Sequence, residues 1–290
     1  MSPNLSGALL MIASMTAFTI NDAIVKAAGA EMPLMQILTL RGTLSSLLLL
    51  GLALLTGTLN FSFSRKDRWL IGIRSLCEVA AAWLFLTAIL NMPLANVSAV
   101  MQMLPLTVTA GAALFFGESV GWRRASAICL GFCGMLLIVR PGAEGFSVHS
   151  AYAVGAVCCV TLRDLVVRRI SHDVSSMSVS LIGAVAVCLF AGVGSVGTDW
   201  VPMTAPLWLL IWGSAFFVMA GYLLSVIVMR VGEVSFVAPF RYTSLLVALI
   251  LGYLVWGDWP TPLTMFGAAI VVASGLFTLY REKAVREEAA

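Results

Sequence analysis

Apolar runs of about 20 residues, cut by short polar connectors, recur along the whole chain, and a helix needs about that many mostly apolar residues to cross a bilayer. Cutting at charge clusters and at Pro or Gly breaks gives ten segments: 6–27, 33–57, 68–90, 94–117, 123–140, 149–168, 175–196, 205–230, 233–256 and 260–281. The runs are too long and alternate too little for strands of a membrane barrel. The expected fold is therefore all-α, a polytopic membrane protein with ten transmembrane helices. Composition agrees. The 290 residues are 60% hydrophobic and 11% charged, where soluble domains run about 45–50% and about 25%. A net charge of +3, with no basic stripe outside short loops, argues against a nucleic-acid partner. The expected partners are the lipid bilayer and a small-molecule substrate.

No Lys or Arg occurs in the first 25 residues. A secretory signal starts with a positive stretch, so the first run is expected to be an uncleaved span. The six cysteines all lie in apolar segments, and Cys129 and Cys133 have no histidine or carboxylate beside them. They read as small hydrophobes rather than metal ligands, and no metal or cofactor is expected. His149 and His172 fall in expected loops.

Lys and Arg in the connectors set the orientation. With the N-terminus in the cytoplasm, the inner side holds Arg65, Lys66, Arg68, Arg123, Arg124, Arg168, Arg169, Arg230, Arg281, Lys283 and Arg286; the outer side holds Lys26 and Arg140. Both termini are thus expected on the cytoplasmic side of an inner membrane.

A repeat runs through the ten segments. "AFTINDAIVKAAG" at 17–29 matches "CVTLRDLVVRRIS" at 159–171: a shift of 142 puts Thr19 on Thr161, Asp22 on Asp164, Val25 on Val167 and Lys26 on Arg168. "ANVSAVMQMLP" at 95–105 resembles "GEVSFVAPFRY" at 232–242, and "FFGE" at 115–118 resembles "VWGD" at 255–258. Five helices per copy is an odd number, so the second copy enters the membrane from the opposite side. Two inverted five-helix repeats, 1–141 and 142–290, follow, and inverted repeats are the plan of many secondary transporters. Asp22 and Asp164 then lie at matched depths toward opposite faces, where two alternating gates would need them. Solvation at helix ends is the plain alternative, favoured for the long-stemmed Lys26 and Arg168.

The ten spans, the inverted repeat, "FFGESVGWRRASAICLGFCGMLLIVRPG" and "VAPFRYTSLLVALILGYLVWGDWPTPLTMFGAAIVVASGL" together resemble the drug/metabolite transporter superfamily, EamA-type. That resemblance covers essentially the whole chain. It implies a central pocket between the halves, alternating access, and export as the default direction. Uptake of a vitamin or an adenosyl-type metabolite, riboflavin- or S-adenosylmethionine-like, is the alternative it suggests.

Charges inside spans cost at least about 2.5–3.5 kcal/mol each, so they face the bundle interior and act or pair. Arg74 and Glu78 are one helical turn apart and can pair; the pair either fixes packing, holds a substrate acid, or exchanges a proton at Glu78. Arg41 and Arg241 each lie about eight residues into a span. Pro239 breaks the ninth span beside Arg241, Tyr242 and Thr243, and Pro105 interrupts the fourth near Gln102; interrupted helices in both halves point to a transport site. Arg41, Arg74, Arg163 and Arg241 outnumber Asp22, Glu78 and Asp164 by one. Arginine suits bidentate capture of carboxylate or phosphate. The expected substrate is a small polar metabolite bearing an acid, or zwitterionic. Arg74, Glu78, Trp83, Gln102, Tyr222, Arg241 and Tyr242 are the candidate binding residues, with Phe85 a further flat wall. Asp22, Arg41, Glu78, Arg163 and Asp164 are the candidate gate or coupling residues. Protons are the candidate coupling ion. No G-x-x-x-x-G-K-[ST] and no H-E-x-x-H occurs in the sequence, so the expected driving force is a gradient and no catalytic residues are named. Gly131, Gly134, Gly267 and Gly275 leave both a monomer and a homodimer open.

Overall fold

The structure, a computed structural model, describes residues 3–117, 121–139, 147–171, 173–231 and 237–289. Glu118, Arg140, His172 and the 232–236 part of the ninth-span motif lie outside the described residues. The helices are α1 Pro3–Ala28, α2 Leu34–Thr56, α3 Arg65–Asn91, α4 Leu94–Met101, α5 Leu104–Phe116, α6 Trp122–Val139, α7 Val148–Val167, α8 Ser176–Gly194, α9 Ala205–Val231, α10 Thr243–Trp256 and α11 Pro262–Ala289. A 3-10 turn, Ala238–Tyr242, leads into α10. No strand occurs among the described residues. Counting α4–α5 as one broken span, and the 3-10 turn with α10 as another, ten crossings result. Eight are long and apolar enough to cross a membrane, and the apolar parts of α6 and α11 are shorter, Ala125–Val139 and Pro262–Thr278.

Local chemistry places the ends. Pro33 and Pro93 sit at N-caps in extended conformation, where a missing N–H costs nothing. The Ser64 hydroxyl receives the Asp67 N–H at 3.1 Å and donates to the Asp67 carboxylate at 2.6 Å, starting α3. Gly57, Gly117 and Gly257 close α2, α5 and α10 with φ of 61°, 66° and 70°, a region only glycine enters freely. Within the bundle, Thr39, Thr43, Thr87 and Thr109 bond the carbonyl one turn back, which hides a hydroxyl where no water can satisfy it. Leu55 at 89% and Leu114 at 82% exposure would be liabilities in water; against lipid tails they are the natural outer face.

Packing repeats between the halves. α1 lies on α9 as α7 lies on α3, while α2 pairs with α8, α4 with α10 and α6 with α11. Exchanging the two sets of five crossings maps this pattern onto itself. The polar contacts follow it. Gln102 Nε2, at the break between α4 and α5, donates to Ser244 Oγ at 2.6 Å, 142 residues further on. α6 and α11 meet at Gly134 and Gly267, where a Cβ would sit 2.8 Å and 2.6 Å from the other's carbonyl oxygen. The glycine-bearing helices thus pack on each other within one chain.

A cation near the end of α1 and another just past α7 each lie over an aromatic ring. Lys26, near the end of α1, donates to the Met92 carbonyl and lies over the Trp256 ring at 5.3 Å. Arg169, just past α7, lies over the Phe116 ring at 4.5 Å. Lys26 was expected to reach for solvent. A carbonyl and an aromatic face at the α3–α4 and α10 ends hold it instead, because both satisfy an ammonium without full hydration. His149, expected in a loop, lies in the first turn of α7 with its Nδ1 2.9 Å from the Ser147 hydroxyl. Asp67, 2% exposed, accepts the N–H and hydroxyl of Ser171 at 3.1 Å and 3.0 Å and ties the start of α3 to the α7–α8 link.

Candidate functional site

The buried charges gather on the inward faces of α1, α2, α3 and α7. On α3, Arg74 Nη2 lies 3.6 Å from Glu78 Oε2, as the one-turn spacing requires. Arg163 Nη1 on α7 donates to both oxygens of Glu78, at 3.2 Å each. The same guanidinium reaches Asp164 Oδ1 through Nε and Nη2, both at 2.9 Å. Arg74, Glu78, Arg163 and Asp164 thus form a ladder of alternating sign and zero net charge. Their side chains keep 12–39% exposure, so water reaches them and screens the pairs. The ladder is able to exchange partners without stranding a dry charge.

Arg74 is placed by an absence on the facing helix. Its Nη1 donates to the Val179 carbonyl of α8 at 3.3 Å. A Cβ on Gly183, one turn further along α8, would stand 2.7 Å from that Nη1. Gly183 is the counterpart of Arg41 under the shift of 142. Where the first half carries a guanidinium on its second helix, the second half leaves room for one arriving from α3.

The other pole lies between α1 and α2. Asn21 Nδ2 donates to Asp22 Oδ1 at 2.9 Å. The shift of 142 turns this contact into Arg163 to Asp164, with the same geometry and a charged donor. Asp22 lies six residues before the end of α1 at Ala28, and Arg41 seven after the start of α2 at Leu34. At 1.5 Å per residue both sit about 10 Å from the same face. Each carries the other's field. No salt bridge joins them among the described residues, and Arg41 Nη1 is buried without an acceptor.

Tyr222 of α9 stands between the poles, in the field of Glu78, Arg163, Arg41 and Arg74. It is 46% exposed. The Phe18 ring meets it edge-on at 5.3 Å. α1 approaches α9 closely there because Gly221 has no side chain: a Cβ would stand 2.9 Å from the Phe18 ring, and Ser14 Oγ donates to the Gly221 carbonyl at 2.8 Å.

Asp22, Arg41, Arg74, Glu78, Arg163, Asp164 and Tyr222 are therefore brought together. The remaining candidates sit elsewhere. Gln102 is engaged by Ser244. Tyr242 is 7% exposed, its hydroxyl has no partner among the described residues, and its hydroxyl end fills the notch left by Gly275 of α11. Arg241 lies within the Ala238–Trp256 crossing, as expected, and is exposed near the end of its 3-10 turn. Trp83 stacks at a tilt on Tyr152 of α7, 5.9 Å between centroids. Phe85 packs against the main core. Sequence reasoning missed Gly183; the 142 shift applied to Arg41 would have found it. No cluster of three or more metal-ligating side chains occurs among the described residues.

A cavity of about 380 Å³ lies apart from these charges, walled by Ala95, Ala99, Leu245, Leu249, Ala268 and Val272 among others. Such a lining offers nothing to fix an ionic group, and binding sites orient their ligands with a few placed polar groups. The charged interior, not this cavity, is the candidate site.

Known proteins resemble the chain along nearly its whole length. The chain is 25% identical to an S-adenosylmethionine uptake transporter of Rickettsia conorii, over 96% of this chain and 94% of that one. It is 27% identical to a riboflavin transporter of Vibrio cholerae, over 98% and 96%, and 25% identical to the pseudopaline exporter CntI of Pseudomonas aeruginosa, over 93% and 94%. A solved structure superposes with a TM-score of 0.63 at 15% identity, covering 97% of this chain and 98% of that one, which speaks for the fold alone. The model of the EamA-like transporter family matches twice, at residues 5–140 and 150–280, once in each set of five crossings, and the chain belongs to that family.

Proposed function

We propose that the chain is a secondary transporter, not an enzyme, that moves a small acid-bearing or zwitterionic metabolite across a bacterial inner membrane by alternating access. The two repeats, 1–141 and 142–290, rock about the charged interior, and both termini lie in the cytoplasm. One observation carries the reading. Two polar poles, related by the 142 shift, lie within one bundle, and each holds a guanidinium nitrogen buried without an acceptor among the described residues, Arg41 Nη1 in one and Arg74 Nε in the other. A substrate that engages Arg41 or Arg74 shifts the balance of the ladder. Glu78, shared between two arginines, is then free to take a proton. Export is the first direction. Uptake of an adenosyl-type metabolite is the second reading, favoured because a full-length relative carries S-adenosylmethionine uptake in its name.

The test is flux. The purified chain is reconstituted into liposomes, and S-adenosylmethionine and riboflavin are followed in both directions, with and without a pH gradient. Saturable flux above empty liposomes is expected for at least one. Proteoliposomes that move neither, in either direction, would refute the reading.

A further inference from the structure

We propose that the start of α3 and the link between α7 and α8 together form a docking site for the head group of an anionic phospholipid, whose tails lie along α3. The site needs only a chain seated in a bilayer and is independent of what the chain carries.

Two segments 104 residues apart in sequence are fastened side by side. Asp67 accepts the N–H and the hydroxyl of Ser171, at 3.1 Å and 3.0 Å. Ser175 Oγ donates to the Thr58 carbonyl at 2.7 Å, and the Asn60 N–H donates to Ser178 Oγ at 3.0 Å. These bonds bring Arg65, Lys66 and Arg68 of one segment to the same edge of the bundle as Arg168 and Arg169 of the other. All five are exposed, and each lies within three residues of Asp67 or Ser171. The two segments hold two carboxylates, Asp67 and Asp173. Asp67 is 2% exposed and engaged by Ser64 and Ser171, so it faces the protein. Asp173 is exposed. Five cations against two acids leave an excess of positive charge at one junction. Like charges gathered in one place repel, and an anionic partner relieves that repulsion.

The shape of the partner follows from what lies beside the cations. Trp69, Ile73 and Leu76 of α3 are 71%, 41% and 70% exposed. At spacings of four and three residues they share one face of the helix, and Arg65 stands one turn before Trp69 on that face. From Arg65 to Leu76 the helix rises about 17 Å, a little over half of a hydrocarbon core about 30 Å thick, which is the depth of one leaflet. A soluble acidic partner would meet the cations and leave this apolar stripe bare. A molecule with an anionic head and apolar tails matches both, and cations at a membrane surface attract such lipids. Arginine adds shape to charge, since its fork fits two phosphate oxygens at once.

The closing experiment uses the full chain, purified in detergent and stripped of lipid. Phosphatidylglycerol and phosphatidylethanolamine are titrated, with bound lipid counted by native mass spectrometry and melting temperature followed in parallel; inorganic phosphate is the competitor. Phosphatidylglycerol is expected to bind roughly tenfold or more tightly than phosphatidylethanolamine, and phosphate is expected not to displace it. Each cation beside an anionic surface contributes about fivefold. Removing either set, Arg65→Gln with Lys66→Gln and Arg68→Gln, or Arg168→Gln with Arg169→Gln, is therefore expected to bring the preference to near parity. Arg123, an exposed cation held over the Trp122 ring at 5.6 Å, belongs to neither segment, so Arg123→Gln should keep the preference. Trp69→Ala with Leu76→Ala should weaken both lipids alike. The preference is a ratio within one variant, so a loss of stability leaves it readable, and the wild-type comparison needs no variant. The proposal is overturned if the two lipids bind alike to the wild type, if either set of replacements leaves the preference intact, if Arg123→Gln abolishes it as well, if the apolar pair changes neither affinity, or if phosphate displaces the lipid. A lipid preference without flux of any probe keeps this site and sinks the transporter reading; flux without the preference does the reverse.

Discussion

Replacing Gly183 by alanine moves one buried guanidinium without changing any charge. The new Cβ would stand 2.7 Å from Arg74 Nη1, where ordinary contact begins at 3.4 Å. The guanidinium must therefore withdraw by 3.4 − 2.7, or 0.7 Å. Its bond to the Val179 carbonyl, already 3.3 Å, does not survive that step in most directions. Losing a bond from a charged donor costs about 1.5–3 kcal/mol where the donor stays dry. Here water reaches the side chain, which is 12% exposed, and recovers part of the cost. Alanine in mid-helix returns about 0.5–1 kcal/mol over glycine. The two nearly cancel, so the melting temperature is expected to move by a few degrees at most. Transport should not cancel in this way, since displacing a binding group by about 1 Å can cost about 100-fold in rate. In proteoliposomes, flux of the transported probe is expected to fall tenfold or more (of order 10- to 100-fold) with near-normal stability. Gly194→Ala on the same helix, whose Cβ meets the Met35 sulfur at 3.0 Å, is the uncharged control and should keep its flux. Wild-type flux in Gly183→Ala would refute the idea that the position of Arg74 matters to transport.

Three further outcomes follow from the geometry. Gly134→Ala and Gly267→Ala each drive a Cβ into a carbonyl oxygen that cannot swing aside, so both should lower stability by about 1–3 kcal/mol, read as earlier thermal unfolding than in Gly183→Ala. Glu78→Gln leaves Arg74 and Arg163 facing each other across a neutral group; it should abolish the dependence of flux on a pH gradient, and full retention of that dependence would remove Glu78 from coupling. Lys26→Met should lose the bond to the Met92 carbonyl and the Trp256 contact together, costing about 1–3 kcal/mol, and an unchanged melting temperature would mean that end is held by packing alone.

Spans were legible because bilayer thickness writes a length into the sequence. α2 was expected at 33–57 and runs Leu34–Thr56; α8 was expected at 175–196 and runs Ser176–Gly194. The breaks were legible too, since proline marks them: α4 yields to α5 at Gln102–Met103, just before Pro105, and the 3-10 turn holds Pro239. The Arg74–Glu78 pair followed from one-turn spacing alone. Partners across helices were not legible. Spacing states which face a side chain shares, never which helix lies opposite, so Arg163 on Glu78 and Arg74 on Gly183 had no local signal. Tyr242 and Arg241 show the same limit. They are neighbours in sequence beside one break, yet one fills a notch in α11 and the other is exposed, because each step of a 3-10 turn rotates the side chain by about a third of a circle.

Gln102, at the break in one half, bonds Ser244, just past the break in the other. In a dimer of two identical chains such a bond would have to form twice, once from each copy, or not at all. Two halves of one chain carry no such obligation. A glutamine amide can give while a serine hydroxyl receives, and the couple forms once. The same licence lets position 41 carry a guanidinium while its counterpart 183 carries nothing at all. Joining the halves end to end thus made a lopsided interior available to a frame that otherwise mirrors itself, and a lopsided molecule needs a lopsided receptacle.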